Sequence, residues 1–316
     1  MDTFRVTIFV LQLLIKLAFT SSSAAGVVYY VEPTEPCAHN SSSCPSNETC
    51  HTMDHYASNS SHYFSSDHIN VTLYFMCGVH NFIQQVNVSD LYSFAMIGTA
   101  ERQRITLIST ALPTKTIRYG CSYRFSNVTR VRIENATVYF ISFSFEGNTY
   151  LFMAEHVIFR GYIRSTSSMI SILNVTNSEV KLKECTFQHN YFVRIQSHAI
   201  LNINNCSFNS YNHVLHSAIE IDSSTIRLSG DVHFINNTVG SDIISLCGGA
   251  IASRVISPCV TKNINNFLLI STGANVSFIN NTSTLCGGAI SLRCTLINVT
   301  TNATLLLSGN SVTYPF

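Results

Sequence analysis

Charged residues are scarce in this sequence. Only 11% of its 316 residues are Asp, Glu, Lys or Arg, and the net charge is +1. The basic residues are scattered, and their densest group is the RQR tripeptide at 102–104. Proteins that bind nucleic acid or anionic membranes present basic patches, so this composition excludes both as main partners. A surface with little charge and many Ser, Thr and Asn residues suits sugars, or carries glycans of its own.

Adjacent aspartates are also missing. Polysaccharide lyases that use Ca²⁺ need several grouped carboxylates and a base, and glycoside hydrolases need a pair that flanks the scissile bond. Asp222 and Asp242, 20 residues apart, would form a weak Ca²⁺ site if they stacked, but solvated turn residues are the simpler interpretation. We therefore predict no catalytic residue. Beyond residue 25 the aspartates are separate from one another: Asp54, Asp67, Asp90, Asp222, Asp231 and Asp242.

One pair of histidines has the spacing of metal ligands. His51 and His55, with Asp54 between them, would share one face of a helix. The Glu of the H-E-x-x-H zinc motif is absent, and the pair lies beside Cys50. We interpret it as a partly exposed surface and predict neither a metal site nor a cofactor.

Long apolar runs are missing except near the N-terminus. A run from Val6 to Phe19 follows Arg5 and precedes the small-residue segment SSSAAG, with a cleavage position after Ala25. This pattern predicts a secretory signal peptide over residues 1–25. A membrane anchor is the weaker alternative, because the run is shorter than the ~20 residues that span a bilayer. No later stretch is long enough, so we predict no transmembrane segment in the mature chain.

Fifteen N-x-S/T sequons agree with secretion. Stacked turns also favour Asn, Ser and Thr, so part of this excess serves the fold, and the adjacent Asn280 and Asn281 cannot both carry glycans. The predicted glycosylation sites are Asn47, Asn70, Asn87, Asn127, Asn135, Asn174, Asn236, Asn275, Asn298 and Asn302.

The eleven cysteines predict disulfides in an oxidising compartment. Cys37, Cys44, Cys50 and Cys77 can pair near the N-terminus in three ways, which the sequence leaves open. The other predicted pairs are Cys247 with Cys259 and Cys286 with Cys294, or alternatively Cys247 with Cys286. Cys185 and Cys206 stack either as a disulfide or as buried thiols, and Cys121 is left over.

Two regions follow the signal peptide. Residues 26–68 hold three closely spaced cysteines and several prolines, and we predict a disulfide-stapled cap with a short helical turn around Thr52–Tyr56. Residues 69–316 contain short β-rich runs split by Gly, Asn and Ser, with no good helical stretch between them. In the segment 178–190, Val180 and Leu182 are predicted to point inward, and Lys181 and Lys183 outward.

The β-rich region contains a tandem repeat. FINNT occurs at Phe234–Thr238 and Phe278–Thr282, and CGGAI follows each time, at Cys247–Ile251 and Cys286–Ile290. Weaker copies begin at three earlier phenylalanines, and the spacings of 42, 21, 26 and 44 residues fit a unit of about 22, sometimes skipped. The repeat residues are Phe145, Asn148, Phe187, Asn190, Phe208, Phe234, Asn237, Gly248, Gly249, Phe278, Asn281, Gly287 and Gly288.

Repeating strands without helices predict an all-β parallel β-helix, with about three strands per coil and about eleven coils. Equivalent residues then stack: the phenylalanines form an internal column, the asparagines a hydrogen-bonded ladder, and the paired glycines a sharp corner.

The repeats carry a resemblance to known families. FINN and GGAI are similar to the F-x-x-N and G-G-A-[ILV] repeats of the polymorphic outer membrane protein family. VYYVEP (28–33), CHTMDHY (50–56) and LYFMCGVHNF (73–82) resemble the start of eukaryotic secreted, pectin-lyase-like β-helix proteins, common among sponge and cnidarian sequences. The resemblance implies the right-handed β-helix and says little of function. The translocator barrel of the bacterial family is absent, and we expect a chain truncated at its C-terminus.

A solenoid is a scaffold, so its activity has to be argued separately. We predict a secreted or cell-surface, non-catalytic recognition or adhesion protein that binds an extracellular glycan or protein along the faces of the β-helix. A carbohydrate-active lyase or hydrolase is the second hypothesis. A structural matrix component or a gene fragment is the third.

Overall fold

The structure is a computed structural model that describes residues 26–37, 44–64, 69–99, 105–109, 122–146, 149–161, 171–213, 216–240, 248–253, 266–284, 287–292 and 295–313. Several sequence predictions fall outside these residues. They concern the signal peptide 1–25, Asn148, Asp67, Asp242, Cys121, Cys247, Cys259, Cys286 and Cys294.

Three long sheets and one short sheet contain the strands of the described chain. The first sheet has, in spatial order, β3 (Cys50–His51), β1 (Val27–Val31), β4 (Asn70–Phe75), β7 (Ser93–Gly98), β10 (Arg130–Glu134), β13 (Leu151–Glu155), β16 (Glu179–Lys183), β19 (Ile200–Asn204), β23 (Thr225–Ser229), β27 (Asn266–Ile270) and β31 (Thr295–Val299). The second has β2 (Glu35–Pro36), β5 (Gly78–Phe82), β8 (Ile105–Ser109), β11 (Thr137–Tyr139), β14 (Ile158–Arg160), β17 (Thr186–Gln188), β20 (Ser207–Asn209), β24 (Asp231–Ile235), β28 (Asn275–Ile279) and β32 (Thr304–Ser308).

The third sheet has β6 (Val86–Ser89), β9 (Ser122–Ser126), β12 (Ser142–Glu146), β15 (Ser171–Thr176), β18 (Tyr191–Gln196), β22 (Ile219–Asp222), β26 (Ile251–Ser253) and β30 (Ile290–Ser291). The short fourth sheet has β21 (Asn212–His213), β25 (Thr238–Val239), β29 (Thr282–Ser283) and β33 (Ser311–Val312). The chain visits the sheets in turn, and each strand pairs in parallel with its counterpart one coil later. This is a parallel β-helix, the predicted fold class. The antiparallel exception is β2 against β5.

The N-terminal segment closes the first coils. Helix α1 (Met53–Ser58) coincides with the predicted helical turn, and α2 (Ser60–Tyr63) follows it. Disulfides join Cys37 to Cys77 and Cys44 to Cys50, one of the three connectivities that the sequence left open. Neither described helix is long enough to cross a bilayer.

Alternation of apolar and polar residues builds the core. In β16, Val180 and Leu182 are buried, whereas Lys181 and Lys183 are exposed, as predicted. The same period places apolar side chains of all three long sheets in one continuous interior.

The core contains a column of parallel aromatic rings. Phe159, Phe187, Phe208, Phe234 and Phe278 occupy one register position in successive coils. Their ring centroids are 4.7, 4.5, 4.9 and 4.7 Å apart, close to the strand spacing of a sheet.

Three repeat predictions need correction. Phe145, counted as a repeat copy, lies in the third sheet and stacks on Phe125, and the residue that precedes Phe187 in the column is Phe159. The 44-residue gap between Phe234 and Phe278 is one coil and no skipped unit, because these two residues are direct register partners. The first sheet therefore has nine described strands from Asn70 onward, fewer than the eleven coils predicted from a constant period.

A ladder of buried amides runs beside the aromatic column. Asn237 Nδ2 donates to Phe208 O (3.0 Å) and to Asn281 Oδ1 (2.8 Å). Asn281 Nδ2 donates in turn to Phe234 O (3.0 Å) and to Asn310 Oδ1 (2.9 Å). Each amide thus satisfies a backbone carbonyl and the amide of the next coil. Asn190 contributes differently, since its Oδ1 accepts from the backbone N–H of Asn212 (2.7 Å).

The paired glycines precede the strands of the third sheet. Gly248 and Gly287 have positive φ angles of 112° and 59°, which side chains with a Cβ rarely adopt. At positions 249 and 288 a glycine is needed because there is no room for a side chain. A Cβ on Gly249 would lie 2.4 Å from the carbonyl oxygen of Gly288. The GG pair therefore allows two successive coils to approach at this corner.

The aromatic column yields a stability prediction. Phe234→Ala should lower the free energy of unfolding by about 3–5 kcal/mol, because neighbours in register cannot collapse into the cavity. The matched control is Phe267→Ala, which truncates a half-buried ring on the outer side of β27. Urea denaturation measures both changes, and equal losses for the two variants would contradict the column's role.

Candidate functional site

An open groove lies on the outer face of the first sheet. It has a volume of about 240 Å³ and crosses strands β10, β13, β16 and β19. Its position follows from strand alternation, since residues between the inward apolar ones stack into outward rows. The lining residues are Glu134, Met153, Ala154, Glu155, Lys181, Leu182, Lys183, Asn202 and Asn204.

The charges of the groove balance one another. Lys183 pairs with Glu155, and Lys181 Nζ lies 3.4 Å from Glu179. Asn202 Nδ2 donates to the same Glu179 carboxylate at 2.9 Å. The hydrogen bond from Lys183 lowers the pKa of the Glu155 carboxyl, which therefore stays ionised at neutral pH. The groove thus offers donors and acceptors side by side without a dominant charge.

Sequons avoid the middle of this face. Strands β7 to β27 of the first sheet contain none, whereas Asn70 and Asn298 lie in strands toward its two ends. Other predicted sites lie elsewhere: Asn87 and Asn174 on the third sheet, Asn275 on the second, Asn47 in the N-terminal segment, and Asn127, Asn135, Asn236 and Asn302 in turns. The groove strands themselves carry no sequon, whereas Asn135 and Asn205 directly follow the lining residues Glu134 and Asn204 at one end of the groove. Asn281 is fully buried in the amide ladder, so only the exposed Asn280 of that pair is available.

A second cluster, a buried ion pair, lies on the outer side of the third sheet. Arg194 in β18 and Glu220 in β22 are register partners in successive coils. Arg194 Nε and Nη2 donate to Glu220 Oε2 at 3.0 and 2.7 Å, and His216 Nδ1 lies 2.7 Å from Glu220 Oε1. The Glu220 side chain is 1% exposed, while those of Arg194 and His216 are each 16% exposed.

Aromatic contacts hold this cluster in place. The His216 ring stacks on Phe192 at 4.8 Å, and the Arg194 guanidinium lies 5.4 Å from the centre of the same ring. Phe192 and Tyr211 belong to a small apolar cluster outside the main core. The sequence analysis missed this site, because the register that stacks Arg194 on Glu220 is hidden by the insertion before β22.

The pKa and the hydrogen bonds of Glu220 are those of a structural ion pair and differ from those of a general acid. Burial raises the pKa of its carboxyl, but the hydrogen bond from His216 and the charge of Arg194 lower it further, to below the ordinary value. A general acid needs a raised pKa and a free oxygen, whereas both Glu220 oxygens are already bonded.

The predicted acidic and histidine candidates do not assemble into a site within the described residues. Asp222 lies on the third sheet, where its Oδ1 accepts from Ser223 Oγ, and Asp231 lies on the second, where its Oδ1 accepts from Asn275. The described part of the chain holds no group of three His, Cys, Asp or Glu residues placed to bind a metal.

The histidine pair of the N-terminal segment has a geometry of its own. The His51 and His55 rings stack at 3.9 Å with 19° between their planes. Imidazole lone pairs lie in the ring plane, so two nearly parallel rings cannot both point at one ion. His55 Nε2 instead lies 3.1 Å from the Tyr63 hydroxyl, and Asp54 Oδ1 accepts from the backbone N–H of Ile83.

Cys185 and Cys206 are buried thiols, the second of the two predicted alternatives. They stack in successive coils, with the Cys185 N–H 3.3 Å from Cys206 Sγ. Burial raises the pKa of the Cys185 thiol, which makes it a poor nucleophile.

No protein-family model, curated protein or solved structure matches this chain. The likeness to polymorphic outer membrane protein and pectin-lyase-like repeats therefore rests on the motifs, and the fold on the strand register. Function has to be argued from the two outward-facing clusters.

The buried ion pair yields a second prediction. Glu220→Gln should lower the free energy of unfolding by about 3–5 kcal/mol, because the Arg194 charge would stay buried without its partner. The double variant Arg194→Met/Glu220→Leu should lose much less. The free energies of unfolding of this double variant and of its two single variants, Arg194→Met and Glu220→Leu, are measured in urea. Together with the wild type they form a double-mutant cycle that gives the coupling energy between the two residues.

The exposed pair Glu155 and Lys183 is the matched control for this cycle. Their side chains are 25% and 53% exposed, so their coupling should be much weaker than that of Arg194 with Glu220. Equal coupling energies at the two pairs would contradict the assigned role of burial.

Two buried histidines predict how stability depends on pH. Burial lowers the pKa of His80 and of His213 to about 4. Between pH 6.5 and 4 both histidines become protonated in the unfolded chain but stay neutral in the folded protein. The free energy of unfolding therefore falls as the pH falls. For His80 the loss should approach about 3 kcal/mol.

The slope of stability against pH tests this directly. It should flatten in a His80→Gln/His213→Gln variant, which lacks both groups. A wild-type denaturation midpoint that is constant from pH 6.5 to 4 would show that these histidines titrate normally.

Proposed function

We propose that this protein is a non-catalytic extracellular recognition or adhesion scaffold, a secreted β-helix of the pectin-lyase-like kind that its motifs resemble. The supporting observation is the open groove on the first sheet, in a stretch of seven strands without a sequon. A ligand could dock across the middle of these strands, away from the glycosylation sites in the turns that follow them.

The rigidity of the face supports this role. Its strands are hydrogen-bonded on both sides and anchored by the core, so the outward side chains are held at fixed spacing. Preorganised side chains lose little entropy on binding. The two disulfides are compatible with an extracellular protein.

The alternative is a polysaccharide lyase or glycoside hydrolase, and the described carboxylates give it little support. Glu220 is buried and doubly bonded, and Asp222 and Asp231 lie on different sheets. Glu134 and Glu155 are register partners at the groove, but they are already paired with Arg132 and Lys183. A structural matrix component is the third candidate, and it predicts no saturable ligand.

An engineered glycan tests the groove as the recognition face. Asn204→Thr creates the sequon N-I-T at Asn202, and its glycan would fill the groove. Met153→Arg obstructs the same groove without depending on glycosylation. Both variants should weaken binding on an array of glycans and extracellular-matrix proteins by at least about tenfold.

Asn275→Gln, which removes a sequon from the second sheet, is the control and should bind like the wild type. Intact-mass measurement reports whether Asn202 is occupied. A wild type that binds nothing, or binding that survives both groove variants, would refute the proposal. Turnover of polygalacturonate or alginate that vanishes in an Asp222→Ala/Asp231→Ala/Asp242→Ala variant would favour the enzyme instead.

A further inference from the structure

We propose that the groove on the first sheet binds an uncharged glycan segment made of neutral hexose or N-acetylhexosamine units. This inference rests on the proposed recognition function and assigns its ligand class. It depends on three features of the groove: its pairing of donors with acceptors, its balanced charge and its apolar floor.

The groove offers side chains and no free main chain. Strands β13, β16 and β19 are each hydrogen-bonded to a neighbour on both sides. An extended peptide gains affinity by adding a strand to a free sheet edge, and this option is absent in the interior of a sheet. The ligand must therefore be recognised through its own polar substituents.

Hydroxyl groups match the pattern of those side chains. A hydroxyl donates one hydrogen bond and accepts others. In the groove, the Lys183 ammonium and the Asn202 amide are donors, while the carboxylates of Glu134 and Glu155 are acceptors. A sugar with hydroxyls on adjacent carbons can engage a donor and an acceptor at once.

The charge balance selects against polyanions. Lys181, Lys183 and Arg132, which pairs with Glu134, are offset by the three carboxylates of Glu134, Glu155 and Glu179 in and beside the lining. A uronic or sulfated chain would place its anions next to these carboxylates without a net positive field to compensate.

The floor of the groove completes the match. It is predominantly apolar, and because Ala154 and Leu182 face the core, its apolar surface comes from Met153 and the aliphatic parts of the surrounding side chains. Small-ligand sites are mostly apolar with a few placed polar groups, and a sugar ring presents its C–H groups to such a surface.

The test uses the secreted, glycosylated full chain and three classes of immobilised probe. These are neutral oligosaccharides (glucan, mannan and chitin fragments), uronic chains (polygalacturonate and alginate) and sulfated chains (heparin). We expect binding to a neutral probe that changes less than about twofold between 0.05 and 0.5 M NaCl, because no net charge is involved.

Matched variants separate hydrogen bonding from charge. Glu155→Gln/Lys183→Gln keeps the net charge and shape but replaces the ion pair, and it should weaken neutral-glycan binding by at least about tenfold. Asn209→Ala removes an amide from the outer side of the second sheet and should change nothing. Glu155→Lys raises the net charge by two and should create heparin binding that is lost at high salt.

The outcomes distinguish this inference from the function on which it rests. Wild-type preference for uronic or sulfated chains, or neutral-glycan binding unchanged in Glu155→Gln/Lys183→Gln, overturns the ligand class. So does binding confined to a matrix protein and blocked by Asn204→Thr, although that result keeps the recognition function. Binding to no probe and no matrix protein overturns both.

Discussion

The parallel register between coils is the constraint on which the rest of this structure depends. It places each residue beside its counterpart one coil away, so a buried polar group must find its partner in the neighbouring coil. The amide ladder meets this requirement: Asn281 bonds to Asn237 on one side and to Asn310 on the other. A buried amide without these bonds would lose its hydration and gain nothing in return. The amide hydrogen bonds therefore form only in this register, and they in turn stabilise this register along the solenoid axis.

This constraint explains which parts of the fold could be predicted from sequence. The F-x-x-N pattern is local, and it located Phe187, Phe234 and Phe278 in one column. The strand alternation of segment 178–190 was equally local and was confirmed. Coil length is not a local property, because insertions enter at corners where they do not disturb the ladder. The spacings of 28, 21, 26 and 44 residues between column members therefore follow no constant period. Phe145, counted as a repeat copy, lies in the third sheet, and Phe159 precedes Phe187 in the column.

The candidate sites depend on register in the same way. The groove residues come from four strands, and their adjacency follows only when these strands are aligned. Lys181 and Lys183 could be predicted to face outward, but not that Glu155 of the previous coil would lie against Lys183. Arg194 and Glu220 are 26 residues apart, and their pairing requires the length of the intervening insertion. Once the register is known, both ion pairs can be identified, because their residues occupy outward-facing positions of adjacent strands.

The two clusters differ in solvent exposure, and this decides what each can do. Breaking the pair of Glu220 with Arg194 would leave a charge in an apolar environment, so a ligand cannot exchange with it at low cost. The pair of Glu155 with Lys183 is solvated and contributes little to stability, so its groups can turn toward a ligand hydroxyl without weakening the fold. A recognition surface needs side chains whose bonds can be exchanged, held on a backbone that does not move. The outer face of the first sheet combines both properties, whereas the buried cluster fixes the structure on the outer side of the third sheet.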